Sequence, residues 1–137
     1  IDKIVEWTEK DVLREYDIES INDLPYGKGF GLVRERTLNN VKKLKSLAKH
    51  IIIIGHRKTA ASVDNSTAIE PESLDLSGKL KNLIMAQSDA IGYMFREDDD
   101  LMVSFQSGKA LEAGSRCGHL KGKVFKFDWN KIYKKEK

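Results

Sequence analysis

Ile1, Ile4, Val5, Thr8, Val12, Leu13 and Tyr16 recur at spacings of three and four. That spacing lines one face of a helix and leaves the acidic and basic residues on the other, so it predicts an amphipathic helix ending near Asp17. The pattern then breaks over 17–31, where Asn22, Asp23, Pro25 and the glycines of Tyr26-Gly27-Lys28-Gly29-Phe30-Gly31 predict a loop carrying a turn. A second stripe, Val33, Thr37, Val41, Leu44 and Ala48, predicts a second helix. Its other positions carry Arg34, Arg36, Lys42, Lys43, Lys45 and Lys49, several of them toward the C-terminal end, where the helix dipole favours cations.

Residues 51–54 are four consecutive isoleucines with no polar face, which predicts a strand buried on both sides, as in a parallel sheet covered by helices. A helix leading directly into such a strand reads as the later half of a crossover, with the preceding strand expected before residue 1. The segment 59–73 is small and polar, contains Pro71, has no lysine or arginine, and is long enough to be either a functional or a disordered loop. Leu74, Leu80, Leu83, Ile84 and Gln87 suggest a third helix. Residues 90–96 and 101–106 flank Glu97-Asp98-Asp99-Asp100 and predict a hairpin with an acidic turn. A glycine-containing loop over 107–118 holds Lys109 and Arg116; 124–127 alternates as a short edge strand, and Asp128 is placed to cap a terminal helix through Trp129, Ile132 and Tyr133.

Composition narrows this picture. The chain has 137 residues, 40% hydrophobic and 33% charged, which suits a single domain over 1–137. The formal net charge of +3 argues against a dedicated nucleic-acid or membrane-surface binder on charge alone, although the basic excess gathers in a lysine-rich tail over 121–137. The single cysteine, Cys117, cannot form an internal disulfide, and no Cys/His spacing fits a zinc site, so a reducing compartment is expected and no resident metal. The longest apolar run is far short of a membrane span, and no apolar segment near residue 1 resembles a signal peptide. A soluble, cytoplasmic protein with no membrane partner is therefore expected. Because Ile1 to Val5 already read as structured sequence without a polar lead-in, the chain is expected to be part of a longer domain.

The order helix, glycine loop, helix, isoleucine strand ending in Gly55-His56, polar loop, helix, hairpin resembles the second half of a RecA-type ATPase core. The residues carrying the resemblance are 1–7, Tyr26-Gly27-Lys28-Gly29-Phe30 with Val33-Arg34-Glu35, 50–58, and Asp89-Ala90-Ile91-Gly92-Tyr93. In wording they are similar to phage-encoded RecA-like P-loop ATPases of the AAA type, linked to single-strand annealing recombination. The resemblance covers the chain to about Gly122. It implies an α/β fold, the C-terminal part of a RecA-like core with a mainly parallel sheet ending in an antiparallel hairpin. It also implies ATP and Mg2+ as cofactors of the intact protein, a homo-oligomer, single-stranded DNA as a partner, and the cytoplasm of a bacterial host. The phosphate-cradling G-x-x-x-x-G-K-[ST] loop of that family occurs nowhere in the chain, so nucleotide binding would need the upstream half.

The resemblance also distributes roles. His56, at the end of the isoleucine strand, would feel the γ-phosphate, since an imidazole can hydrogen-bond either phosphate or the nucleophilic water; a strand-end histidine satisfying backbone groups is the plainer reading. Arg57 and Lys58 could hold phosphate, or form an ordinary solvated pair. Lys109 and Arg116 would reach the nucleotide of a neighbouring subunit, Arg116 with the stronger claim because a guanidinium grips two oxygens at once; the alternative is an ordinary basic loop. Tyr26, Lys28 and Phe30 offer the cation and stacking aromatics that single-stranded DNA wants, whereas the 59–73 loop offers Asp64, Glu70 and Glu72 instead. A different class of function, a non-catalytic DNA-binding or assembly module using the lysine-rich tail, stays open beside the ATPase reading.

Overall fold

The computed structural model describes residues 1–58, 72–108 and 111–133. The chain divides into two compact units, one of Ile1–His56 with Asp75–Ile84, the other of Arg57–Leu74 with Met85–Lys137. The fold is mixed α/β.

In the first unit, helix α1 spans Asp2–Tyr16 and buries Thr8 and Val12; Asp17 ends it in the left-handed conformation (φ 49°). The periodicity had placed this helix and its end correctly. Helix α2 spans Lys28–Lys45 and buries Gly29, Val33, Thr37 and Val41, so the buried residues repeat every four positions and α1 packs against them. Glu15 of α1 and Arg36 of α2 are tied at 2.8 Å. Helix α2 begins inside the expected loop. Ser20 opens a turn with a reciprocal capping box to Asp23, Pro25 opens a second, and Tyr26 (φ 57°) and Gly27 (φ 70°) swing the chain into the helix. Gly29 and Gly31 thus lie within α2. Gly29 is required there, because a Cβ would overlap the Ile21 carbonyl oxygen and come within 3.0 Å of its carbonyl carbon.

The isoleucine segment departs from expectation. Among the described residues 51–56 join no ladder, and exposure alternates: Ile51 and Ile53 are half-buried, while Ile52 and Ile54 are 54% and 79% exposed. Four β-branched residues favour an extended backbone, but burial on both faces requires neighbouring strands, and none is paired here. The Ile1 nitrogen donates to the Ile54 carbonyl at 2.5 Å, and the Asp75 N–H to the His56 carbonyl at 2.8 Å. Helix α3, Lys79–Ala86, belongs to this unit as far as Ile84, its last two residues falling in the second; it buries Leu80 and Ile84 and is shorter than the apolar pattern suggests.

In the second unit, β1 (Arg57–Lys58) pairs with β2 (Ser73–Leu74), and β3 (Ala90–Ile91) with β6 (Gly114–Ser115). The third sheet has the order β4 (Tyr93–Glu97), β5 (Asp100–Ser104), β7 (Val124–Lys126). Every ladder is antiparallel; the parallel pairing among the described residues is one isolated bridge, Glu72 to Leu111. The mainly parallel sheet expected from the isoleucine run is therefore not seen among the described residues, where that run enters no sheet. The hairpin and the edge strand lie near their expected places, with a tighter turn in which Glu97 pairs with Asp100 and Asp98 takes φ 51°, whereas residues 90–91 leave the hairpin and pair with 114–115 inside the expected loop. Val103, Phe105 and Leu120 form the buried centre of this unit, surrounded by Ala90, Cys117, Phe125, Phe127 and Ile132. Asp128 caps the short helix α4 (Trp129–Ile132) by accepting from the Asn130 N–H at 2.9 Å, as its position predicted.

Candidate functional site

His56 sits just past the isoleucine segment, and α1 supplies its partner. Oδ2 of Asp2, in the first turn of α1, lies 2.6 Å from His56 Nδ1 and also accepts the His56 backbone N–H at 3.3 Å. The imidazole side chain is 89% exposed, so its far edge faces solvent. The other Asp2 oxygen, Oδ1, is buried and has no hydrogen-bond partner among the described residues. A carboxylate gripping one imidazole nitrogen fixes the ring's orientation and presents the opposite nitrogen for chemistry. Sequence reasoning identified His56 and missed Asp2 as its partner. The two are 54 positions apart, and no local pattern links them.

Arg57 is held in the second unit. Its Nη1 donates to Glu72 Oε2 at 2.6 Å and to the Tyr93 hydroxyl at 2.9 Å, and the guanidinium lies 5.8 Å from the Tyr93 ring centroid. The hydrogen bond and charge of Glu72, with a contribution from Tyr93, raise the Arg57 pKa, so it is a fixed cation at any working pH. Lys58 follows it on β1, where successive side chains point to opposite faces; the pair therefore does not converge on one phosphate. Arg116 donates from Nη2 to the Ala86 carbonyl, and its backbone N–H donates to the Asp89 carbonyl at 2.8 Å. Arg57 and Arg116 thus keep separate intramolecular partners. Lys109 lies outside the described residues, as do 59–71 of the second expected loop and 134–137 of the tail.

The three aromatic and basic residues of the first loop cluster at the start of α2. Tyr26 is fully exposed, Phe30 is 45% exposed, and the Lys28 ammonium lies 5.0 Å over the Tyr16 ring. Exposed aromatic rings with a lysine close in sequence are the residue types that stack on and pair with single-stranded nucleic acid. Lys28 also borders a shallow groove along α2 with Gly31, Leu32, Arg34, Glu35 and Leu38.

Among the described residues no group of three or more His, Cys, Asp or Glu converges as a metal site, and no helix is long and apolar enough to cross a membrane. The G-x-x-x-x-G-K-[ST] phosphate loop does not occur in the 137 residues, so the chain's own sequence does not supply that element of an ATP site.

A family model described as an AAA domain matches residues 1–117. No curated protein and no solved structure matches the chain.

Proposed function

Because the chain belongs to the AAA domain family, we propose that it forms the sensing side of a RecA-like P-loop ATPase, with His56 as the residue that faces the bound nucleotide. The observation carrying this reading is the Asp2–His56 pair: a solvent-facing imidazole held from behind by a carboxylate at 2.6 Å. An unoriented surface histidine loses rotamer freedom on engaging a ligand, whereas this ring is already placed. The phosphate loop and the magnesium ligands would come from sequence outside these 137 residues. Arg57 and Lys58 are candidates for phosphate contact, one at a time, since they alternate across β1. Arg116 and Lys109 are candidates for contact with a neighbouring subunit in a homo-oligomer; Arg116 would first have to leave the Ala86 carbonyl.

In this reading the nucleotide cycle serves DNA recombination or single-strand annealing of the phage type, in the cytoplasm of the host. The exposed Tyr26 and Phe30 beside Lys28 favour a second reading, in which the chain binds single-stranded DNA without catalysis. Titrating the chain with a fluorescent ATP analogue, alone and together with a segment carrying the phosphate loop, separates the two. The ATPase reading expects nucleotide binding only in the second case and its weakening by His56→Ala. Salt-sensitive oligonucleotide binding with no nucleotide binding in either case would leave the DNA-binding reading.

A further inference from the structure

Facing a nucleotide, His56 has two chemical options, donation to a phosphate oxygen or acceptance from a water. The Asp2 contact makes that choice. At neutral pH a carboxylate accepts hydrogen bonds and donates none, so a 2.6 Å contact between Oδ2 and Nδ1 places the ring proton on Nδ1. In the neutral ring Nε2 then carries a lone pair and no proton. The opposite tautomer would set two acceptors against each other at that distance. Oδ1 adds to the constraint: it is buried with no hydrogen-bond partner among the described residues, which leaves Oδ2, facing the His56 ring and backbone N–H, as the carboxylate's contact there. Losing the ring proton would leave most of a partly desolvated carboxylate uncompensated.

We infer that Asp2 is a positioning residue that locks His56 in the Nδ1–H tautomer, so that Nε2 accepts a hydrogen bond from a water or hydroxyl and does not donate one to a phosphate oxygen. The assignment of that water or hydroxyl to a nucleotide site rests on the proposed function; the tautomer does not. His119 supplies an internal contrast. Its Nε2 lies 2.9 Å from the Ile132 carbonyl, which can only accept, so its proton belongs on Nε2.

The test is nitrogen-15 NMR of the histidine rings in the full chain, at a pH well above the ordinary histidine range. His56 is expected to show a protonated Nδ1 and a bare Nε2, and His119 the reverse. Asp2→Ala, which removes the acceptor, is expected to let His56 move toward the Nε2–H form that an unpartnered imidazole favours, while His119 stays as it is. A proton on Nε2 of His56 in the unaltered chain overturns the inference, and so does an unchanged His56 pattern in a folded Asp2→Ala protein. Should that variant lose its dispersed amide spectrum, the unaltered chain alone decides. A non-hydrolysable ATP analogue, added with a segment carrying the phosphate loop, separates the two claims. If it leaves the His56 signals in place, the nucleotide reading fails and the tautomer result stands. If it drives a proton onto Nε2 against phosphate, the nucleotide reading stands and the inference fails.

Discussion

Arg116 closes the C-terminal end of α3: its guanidinium donates to the carbonyl of Ala86, the last residue of that helix. Nη1 lies 3.9 Å from Asp89 Oδ1, a looser contact with both side chains well exposed, so the carbonyl is the stronger tie. The last carbonyls of a helix lack intrahelical partners, and a cation there also suits the dipole. Arg116→Ala is expected to destabilise the chain by about 1 kcal/mol, with Arg116→Lys retaining part of that. Urea denaturation measures it; equal midpoints for all three proteins would show that the tie contributes nothing.

Glu6 sits between two lysines on α1, with Lys3 and Lys10 each at 2.7 Å. The hydrogen bond from Lys10, then that from Lys3, reinforced by their charges, lowers the Glu6 carboxyl from its ordinary 4.5 to about 2. A carboxyl depressed on folding contributes support that is full above 4.5 and fades as pH falls toward about 2. The Glu6 side-chain carboxyl carbon-13 shift is expected to titrate toward the low end of that window, and Lys10→Gln is expected to bring its midpoint back up. Because the triad is exposed, added salt should shrink the effect.

Gly29 lets α2 pass against the turn at Ile21. Gly29→Ala is expected to cost about 2 kcal/mol or more, since backbone must move to admit the methyl group. Gly31→Ala, with open space at the Cβ position, is the matched control and should be neutral or slightly stabilising. Thermal unfolding of the two variants compares them directly. Equal melting temperatures would contradict the close approach.

Under the DNA-binding reading, Phe30→Ala should weaken single-strand affinity by about 1 kcal/mol or more, as loss of one stacking face does. Lys28→Ala should weaken it more evenly across sequences and lower the salt slope by about 1. Fluorescence anisotropy at two salt concentrations reads both. A chain that shows no affinity at low salt, or variants indistinguishable from the parent, would remove Tyr26, Lys28 and Phe30 from any nucleic-acid role.

Local chemistry made part of this fold legible. The stripes of α1 and α2, the Asp128 cap and the β4–β5 hairpin all follow from spacing or from a residue's own conformational preference, and each is found near its expected place. The start of α2 was obscured because glycines usually signal a loop, whereas Gly29 serves a contact with Ile21 that only the folded chain reveals. The isoleucine run misled for a related reason: β-branching sets extended backbone, but the number of covered faces depends on distant strands. Of the candidate site, His56 and Arg57 could be named from the sequence. Their partners Asp2, Glu72 and Tyr93 could not, since they are brought in from 54, 15 and 36 positions away.

The alternating exposure of 51–54 also bears on how the chain behaves in concentrated solution. Ile52 and Ile54 turn apolar, β-branched side chains outward from a backbone that no ladder occupies among the described residues. A short, uncharged run with outward β-branched side chains is adhesive toward apolar surface on another copy. Ile54→Lys would place a gatekeeping charge there, raising the concentration at which the protein stays monodisperse.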